Sequence, residues 1–203
     1  MTNTKDEAVA ALIEQLSDTE SQVRENAARE IFSRGLTRAV AVAVEWLRDQ
    51  EIANCFVFDD SRASQKFPRT TVGIAVEPDV FDRIRAANGL PRLANVPPDL
   101  DAKEFEFHAV EGVRLDVLTT RDKRGGGAIA RFLQKRGEGI QQVELDVRDV
   151  DRATQLLRER FGLVPVYGEA RSGAEGTRVN FFLLAGGEGE KLLIELVQTP
   201  ARR

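Results

Sequence analysis

The sequence predicts an α+β protein in which paired β-α-β-β-β modules follow a small all-α N-terminal segment. Three observations carry this reading. Apolar residues recur at helical steps through residues 4–49, the pattern changes to period-two alternation from Thr70, and the same order of strands and helix returns after a glycine-rich linker. The boundaries that follow are a helical segment over 1–50, a linker over 51–69, and a domain over 70–200 built from modules 70–120 and 139–200.

Composition narrows the function classes. With 33 acidic and 29 basic residues the net charge is -4, so bulk attraction to nucleic acid or to a membrane surface is not expected. One cysteine, Cys55, excludes an internal disulfide and a cysteine-rich metal knuckle, and is read as a small buried apolar residue. The opening MTNTKDE lacks a secretion pattern, and the run from Ala39 to Val44 is too short to span a bilayer. These features predict a soluble, cytoplasmic protein.

In the N-terminal segment, Thr4 and Glu7 form a capping pair ahead of Val9, Leu12, Ile13 and Leu16 on one face. A second cap at Thr19 to Gln22 opens a helix carrying Val23, Ala27 and Ile31, with Gly35 as its expected stop. Leu36 to Leu47 follow, apolar nearly all round. The phrase LSDTESQVRENAAREI resembles one repeat of the HEAT type. A lone repeat cannot bury both faces, so these helices are expected to pack on the rest of the chain or on a second subunit of a homodimer.

Residues 51–69 read as a connector with one short strand at Cys55 to Phe58 and the polar stretch DDSRASQK. The first module then gives a strand at TTVGIAV, a helix near Asp79 to Ala87, a weakly signalled strand near Pro91 to Val96, and strands at Glu104 to Ala109 and Val113 to Thr120. The linker RDKRGGG separates it from the second, whose elements are GIQQVELDV, a helix from Val150 to Phe161, LVPVYGE, TRVNFFLL and KLLIELVQ.

The segments AIARFLQKRGEGIQQVELDV, GTRVNFF and LLIELVQ are similar to those of the vicinal oxygen chelate superfamily, which includes glyoxalase I, bleomycin-resistance proteins and extradiol dioxygenases. The resemblance covers Thr70 to Pro200. It implies a cupped mixed sheet around a ligand, and within the superfamily the pattern is nearest to methylmalonyl-CoA epimerase. It also implies metal ligands on four strands, which fall on Thr71, Asp116, Gln142 and Glu195. Thr71 and Gln142 stand where the family has histidines. The family's partner glutamate falls near Ala94 or Asn95. An all-oxygen set implies either no metal or a hard divalent ion such as magnesium, manganese or calcium.

Alternation independently places Gln142, Glu144 and Asp146 on one strand face, with Arg114 and Asp116, Arg178 and Asn180, and Leu193, Glu195 and Val197 assigned to faces of the same cavity. Candidate roles follow: Glu195 and Glu144 as proton-transfer carboxylates, Thr71, Arg114, Arg178 and Asn180 as ligand contacts, and Asp116, Gln142 and Glu195 as metal ligands. The carboxylates need a cation, a nearby arginine or a proton to coexist. Between Arg121 and Arg136 six basic residues face one acid, either as a phosphate-binding patch or as a solvated helix face.

Three functions remain open. The first is a diverged epimerase-like protein that binds a small acidic or acyl-thioester ligand, with isomerase or lyase proton transfer. The second is a non-catalytic binding or sequestration protein of the bleomycin-resistance type. In the third, the cup is a scaffold and the N-terminal helices bind a protein partner.

Overall fold

A computed structural model describes residues 4–58, 67–185 and 191–200. The side chains of the Thr4–Glu7 cap and the connector over 59–66 lie outside the described residues. The chain divides into two compact units, Met1–Gly35 with Thr71–Gln141, and Leu36–Thr70 with Gln142–Arg203.

In the first unit, helix α1 (Thr4–Gln15) turns into the long helix α2 (Ser21–Ala43), and the HEAT-like phrase lies across that turn. Ile13, Leu16, Ala27, Ala28 and Ile31 are buried between α1, α2 and their neighbours. Arg24 donates to the Asp18 carbonyl at 2.7 Å and to Asn88 at 3.1 Å, while Asn88 donates to the Leu16 carbonyl at 2.9 Å. The helical hairpin is thereby tied to the end of helix α4 (Pro78–Ala87). The expected stop at Gly35 does not occur. Gly35 is interior to α2, and a Cβ built on it meets Val72 Cγ2 at 2.5 Å. Its role is close approach to a strand, which a side chain forbids, and not a left-handed cap.

That strand is β1 (Thr70–Ala75), which pairs parallel to β3 (Val113–Thr120), and β3 pairs antiparallel to β2 (Ala102–Val110). Val72 and Ile74, with Leu115 and Val117 in register beside them, are buried, and Phe105 stacks edge-on against Phe81 of α4 at 4.9 Å. The strand expected near Pro91 to Val96 is absent. Ala94 donates a single backbone bond to Glu104 at 2.9 Å, Leu90 has φ 54°, and Pro91, Pro97 and Pro98 have no N–H to extend a ladder. Residues after the linker RDKRGGG form helix α5 (Ala128–Arg136), on a stretch that the sequence reading assigned to neither module.

In the second unit, Asp49 caps helix α3 (Gln50–Cys55), accepting from the Glu51 and Ile52 amides at 3.0 and 3.2 Å. This helix replaces the first part of the expected connector. Instead of a strand at Cys55 to Phe58, Phe56 bridges Val147 and Phe58 bridges Pro68. Cys55 is buried, and its thiol donates to the Glu51 carbonyl at 3.4 Å.

Strand β4 (Gly139–Asp146) runs parallel to β7 (Lys191–Gln198), followed in order by β6 (Arg178–Ala185) and the short β5 (Arg171–Ser172). Helix α6 (Val150–Phe161), capped by Asp149 and closed at Gly162 with φ 63°, buries Val150, Ala153, Leu156 and Leu157. The expected strand at LVPVYGE shrinks to a bridge between Pro165 and Phe182 and one bond from the Val166 amide to the Phe181 carbonyl. Both modules lose the same element, the strand after the helix, and each loss coincides with proline. The α+β class and the repeated order of elements agree with the sequence.

Candidate functional site

The polar centre of the second unit is built by one parallel register. Glu144 lies opposite Glu195 and Gln142 opposite Leu193, so Gln142 reaches two residues along β7 to the Glu195 carboxylate. Its Nε2 donates to Glu195 Oε2 at 2.6 Å and to Glu144 Oε1 at 3.1 Å. Gln142 and Glu195 are 7 % and 8 % exposed, while Glu144 is half-buried. One neutral amide thus gathers two carboxylates. Hydrogen bonds to charged acceptors in such partly dry surroundings are worth about 1.5–3 kcal/mol each and fix the geometry of the acids they hold.

The same face continues onto β6. Phe181 is in register with Glu195, Leu183 with Leu193 and Val179 with Val197. Leu183 is exposed, as are Val164 and Val166 on the segment that bridges β6. The polar pair therefore borders a row of apolar side chains, a surface suited to a ligand with a carbonyl head and a hydrocarbon body. At the end of β4, Asp146 is held by Arg69 at 3.5 Å.

Arg178 and Asn180 are not on this face. Asn180 is in register with the buried Leu196, and Arg178 makes a two-pronged ion pair with Asp151 of α6 at 2.7 and 3.1 Å, which holds its guanidinium above its usual range. Asn180, fully buried, donates to the Tyr167 carbonyl at 3.2 Å and accepts from the Phe181 amide at 2.9 Å. The sequence expectation had the phase of β6 inverted, because a buried asparagine looks like a cavity residue when only polarity is counted. Phe181 was missed for the complementary reason: an aromatic residue carries no polar signal that would mark it as facing a site.

Thr71, Arg114 and Asp116 belong to the first unit. Gly73 is in register with Asp116, and across β3 the same pairs are Glu106 with Asp116 and His108 with Arg114. Thr71 and Asp116 are buried at 4 % and 6 % exposure. His108, the chain's one histidine, is exposed and contacts Glu106 at 3.2 Å.

Three of the six basic residues make contacts within the fold. Lys123 pairs with Glu77 at 3.0 Å and Asp79 at 3.6 Å, Arg121 donates to the Ala102 carbonyl at 3.0 Å, and Arg131 donates to the Gly126 carbonyl. Glu138 accepts from the Glu77 amide at 2.9 Å, and burial, reinforced by Glu14, Glu77 and Asp79, pushes its carboxyl above the ordinary glutamate range.

Neither a protein-family model nor a curated protein matches the chain. Solved structures do. Methylmalonyl-CoA epimerase from Mycobacterium tuberculosis is similar with TM-score 0.56 and 29 % identity, over 70 % of this chain and 96 % of that one. A Streptomyces coelicolor methylmalonyl-CoA epimerase variant in complex with 2-nitronate-propionyl-CoA matches with TM-score 0.53 and 23 % identity, over 66 % and 98 %. A hypothetical protein from Bacillus halodurans matches with TM-score 0.52 and 22 % identity, over 69 % and 98 %. The chain has the vicinal oxygen chelate fold.

The vicinal oxygen chelate fold implies a divalent metal, and the residues present do not fit one. Among the described residues no group of three or more histidine, cysteine, aspartate or glutamate side chains is placed to hold an ion. The amide of Gln142 presents hydrogens, not a lone pair, to Glu195 and Glu144. No helix of the described residues is long and apolar enough to cross a membrane.

Proposed function

We propose that this protein binds a small acidic or acyl-thioester ligand on the Gln142–Glu144–Glu195 face and moves a proton beside the ligand's carbonyl, an isomerase or lyase chemistry. Glu195 is the base, Glu144 its carboxylate partner, and Phe181 and Leu183 receive the hydrocarbon part. Thr71, Arg114 and Asp116, which share a face of β1 and β3, are proposed as ligand contacts within the first unit. Arg178 and Asn180 are left out, since their side chains are engaged elsewhere. We also propose a cytoplasmic homodimer, which light scattering at several concentrations tests.

One observation carries the reading. The 2.6 Å bond from Gln142 holds a buried carboxylate on a fold shared with epimerases that work on acyl thioesters. A base so held abstracts a proton without first reorganising. The test is deuterium incorporation at the α-carbon of 2-methyl-branched acyl-CoA thioesters in heavy water. Exchange by the wild type that disappears in Glu195→Gln supports the assignment.

Absence of exchange, with binding retained, transfers the conclusion to the second reading, a sequestering protein of the bleomycin-resistance type. A specific feature favours that outcome: both hydrogens of the Gln142 amide already face carboxylates, leaving that side chain no donor for an enolate oxygen.

A further inference from the structure

We infer that Gln142 substitutes for a metal ion in this protein: a covalently attached neutral donor occupies the place between two carboxylates that a divalent cation would fill. Both carboxylates are therefore hydrogen-bonded at this point without a resident metal. This holds whether or not Glu195 moves a proton.

The argument starts from the amide. Its Nε2 lies 2.6 Å from Glu195 Oε2 and 3.1 Å from Glu144 Oε1, so each N–H has one carboxylate acceptor. With both carboxylates ionised, the reversed amide would set an acceptor oxygen against two acceptors with no hydrogen among them, so this is the orientation that satisfies all three groups. An ion entering at that point must displace Gln142, take over the same oxygens and leave two amide hydrogens to find new acceptors in a nearly dry place.

Donor type points the same way. The face carries Gln142, Glu144, Asp146 and Glu195 and no imidazole, and His108 lies exposed on β2 against Glu106. Hard oxygen donors bind transition metals weakly compared with imidazole, and both carboxylates already accept from the Gln142 amide. Gln142 is thus a positioning residue. It gives Glu195 the fixed geometry that a cation gives, without the cation's power to draw electrons from a bound oxygen.

The experiment uses the full chain, untagged and purified without chelator, with cobalt(II) as the probe. Elemental analysis of the wild type is expected to find well below one equivalent of any divalent metal. Its melting temperature should not move with EDTA or with added cobalt. Gln142→His places a ring nitrogen beside the same carboxylates. It should bind cobalt at least ~10-fold tighter than the wild type, with visible absorption and a raised melting temperature, and Glu195→Gln in that background should abolish the gain.

A wild type that carries one equivalent of metal, lost on Glu195→Gln, overturns the inference. So does a folded Gln142→His with no gain in affinity. If that variant does not fold, the wild-type metal content decides alone. Deuterium exchange plays no part in these readouts, so failure of the proton-transfer reading and failure of this one are separate results.

Discussion

Replacing Gly35 by alanine sets two known effects against each other at one atom. In an exposed helix interior the exchange is worth about 1 kcal/mol in favour of alanine. Here the new Cβ would lie 2.5 Å from Val72 Cγ2 and 2.7 Å from Cγ1, about 0.9 Å inside the 3.4 Å floor of ordinary contact. Val72 is fully buried and β-branched, so its two methyls cannot both rotate away, and α2 must lift from β1.

Overpacking of this kind costs about 1–3 kcal/mol, and the severity of the overlap favours the upper part of that range. The net expectation is a loss of about 1–2 kcal/mol, read as a lower urea midpoint at unchanged slope. Val72→Ala removes the obstructing methyls at its own cavity cost. The double variant should therefore be more stable than the sum of the singles predicts, by about 1 kcal/mol. A more stable Gly35→Ala, or strict additivity, refutes the contact as the reason for glycine. The point bears on the site because Val72 adjoins Thr71 on β1.

Three further outcomes are expected. Glu138 has its carboxyl raised by burial, so its folded value lies above its unfolded one; the stability it gives is full below the ordinary glutamate range and lost as pH rises through the folded value. Glu138→Gln should accordingly raise the melting temperature at neutral pH, with the advantage vanishing in acid, and an advantage that persists in acid contradicts the assignment. Asn180→Ala should cost about 1–3 kcal/mol in urea denaturation by leaving the Phe181 amide and Tyr167 carbonyl without partners, yet leave acyl-thioester affinity unchanged. Phe181→Ala should do the reverse, weakening binding in calorimetry; a larger affinity loss from Asn180→Ala would restore the discarded face assignment. Truncation before Phe67 should yield insoluble or unfolded protein, because Ile13, Leu16 and Ile31 are core and Gly35 packs on Val72. A folded, soluble remainder would show the helices to be an accessory.

Much of the fold was legible because Val113–Val117 alternates apolar with polar residues, because Lys191–Gln198 is a short and largely apolar run, and because α4 and α6 bury one stripe each. The acidic pair was legible too: Glu144 and Glu195 stood out as carboxylates on separate period-two strands. Gly35 was misread because a glycine in a helical pattern has two causes, a left-handed cap and a close approach, and only the neighbour tells which. The strands expected around Pro91 and Pro165 failed on missing N–H groups, a deficit that apolar patterning does not record.

The sequence by itself determined the class and the module repeat, since these depend on residue type and local period. Tertiary structure decided which residues meet. The parallel register of β4 and β7 brings Gln142 to Glu195, and the antiparallel register of β6 turns Phe181 toward that pair and Asn180 toward α6. Register is a property of two strands at once. A shift of one residue exchanges every side chain between faces, so no single strand's alternation can say which face is the site.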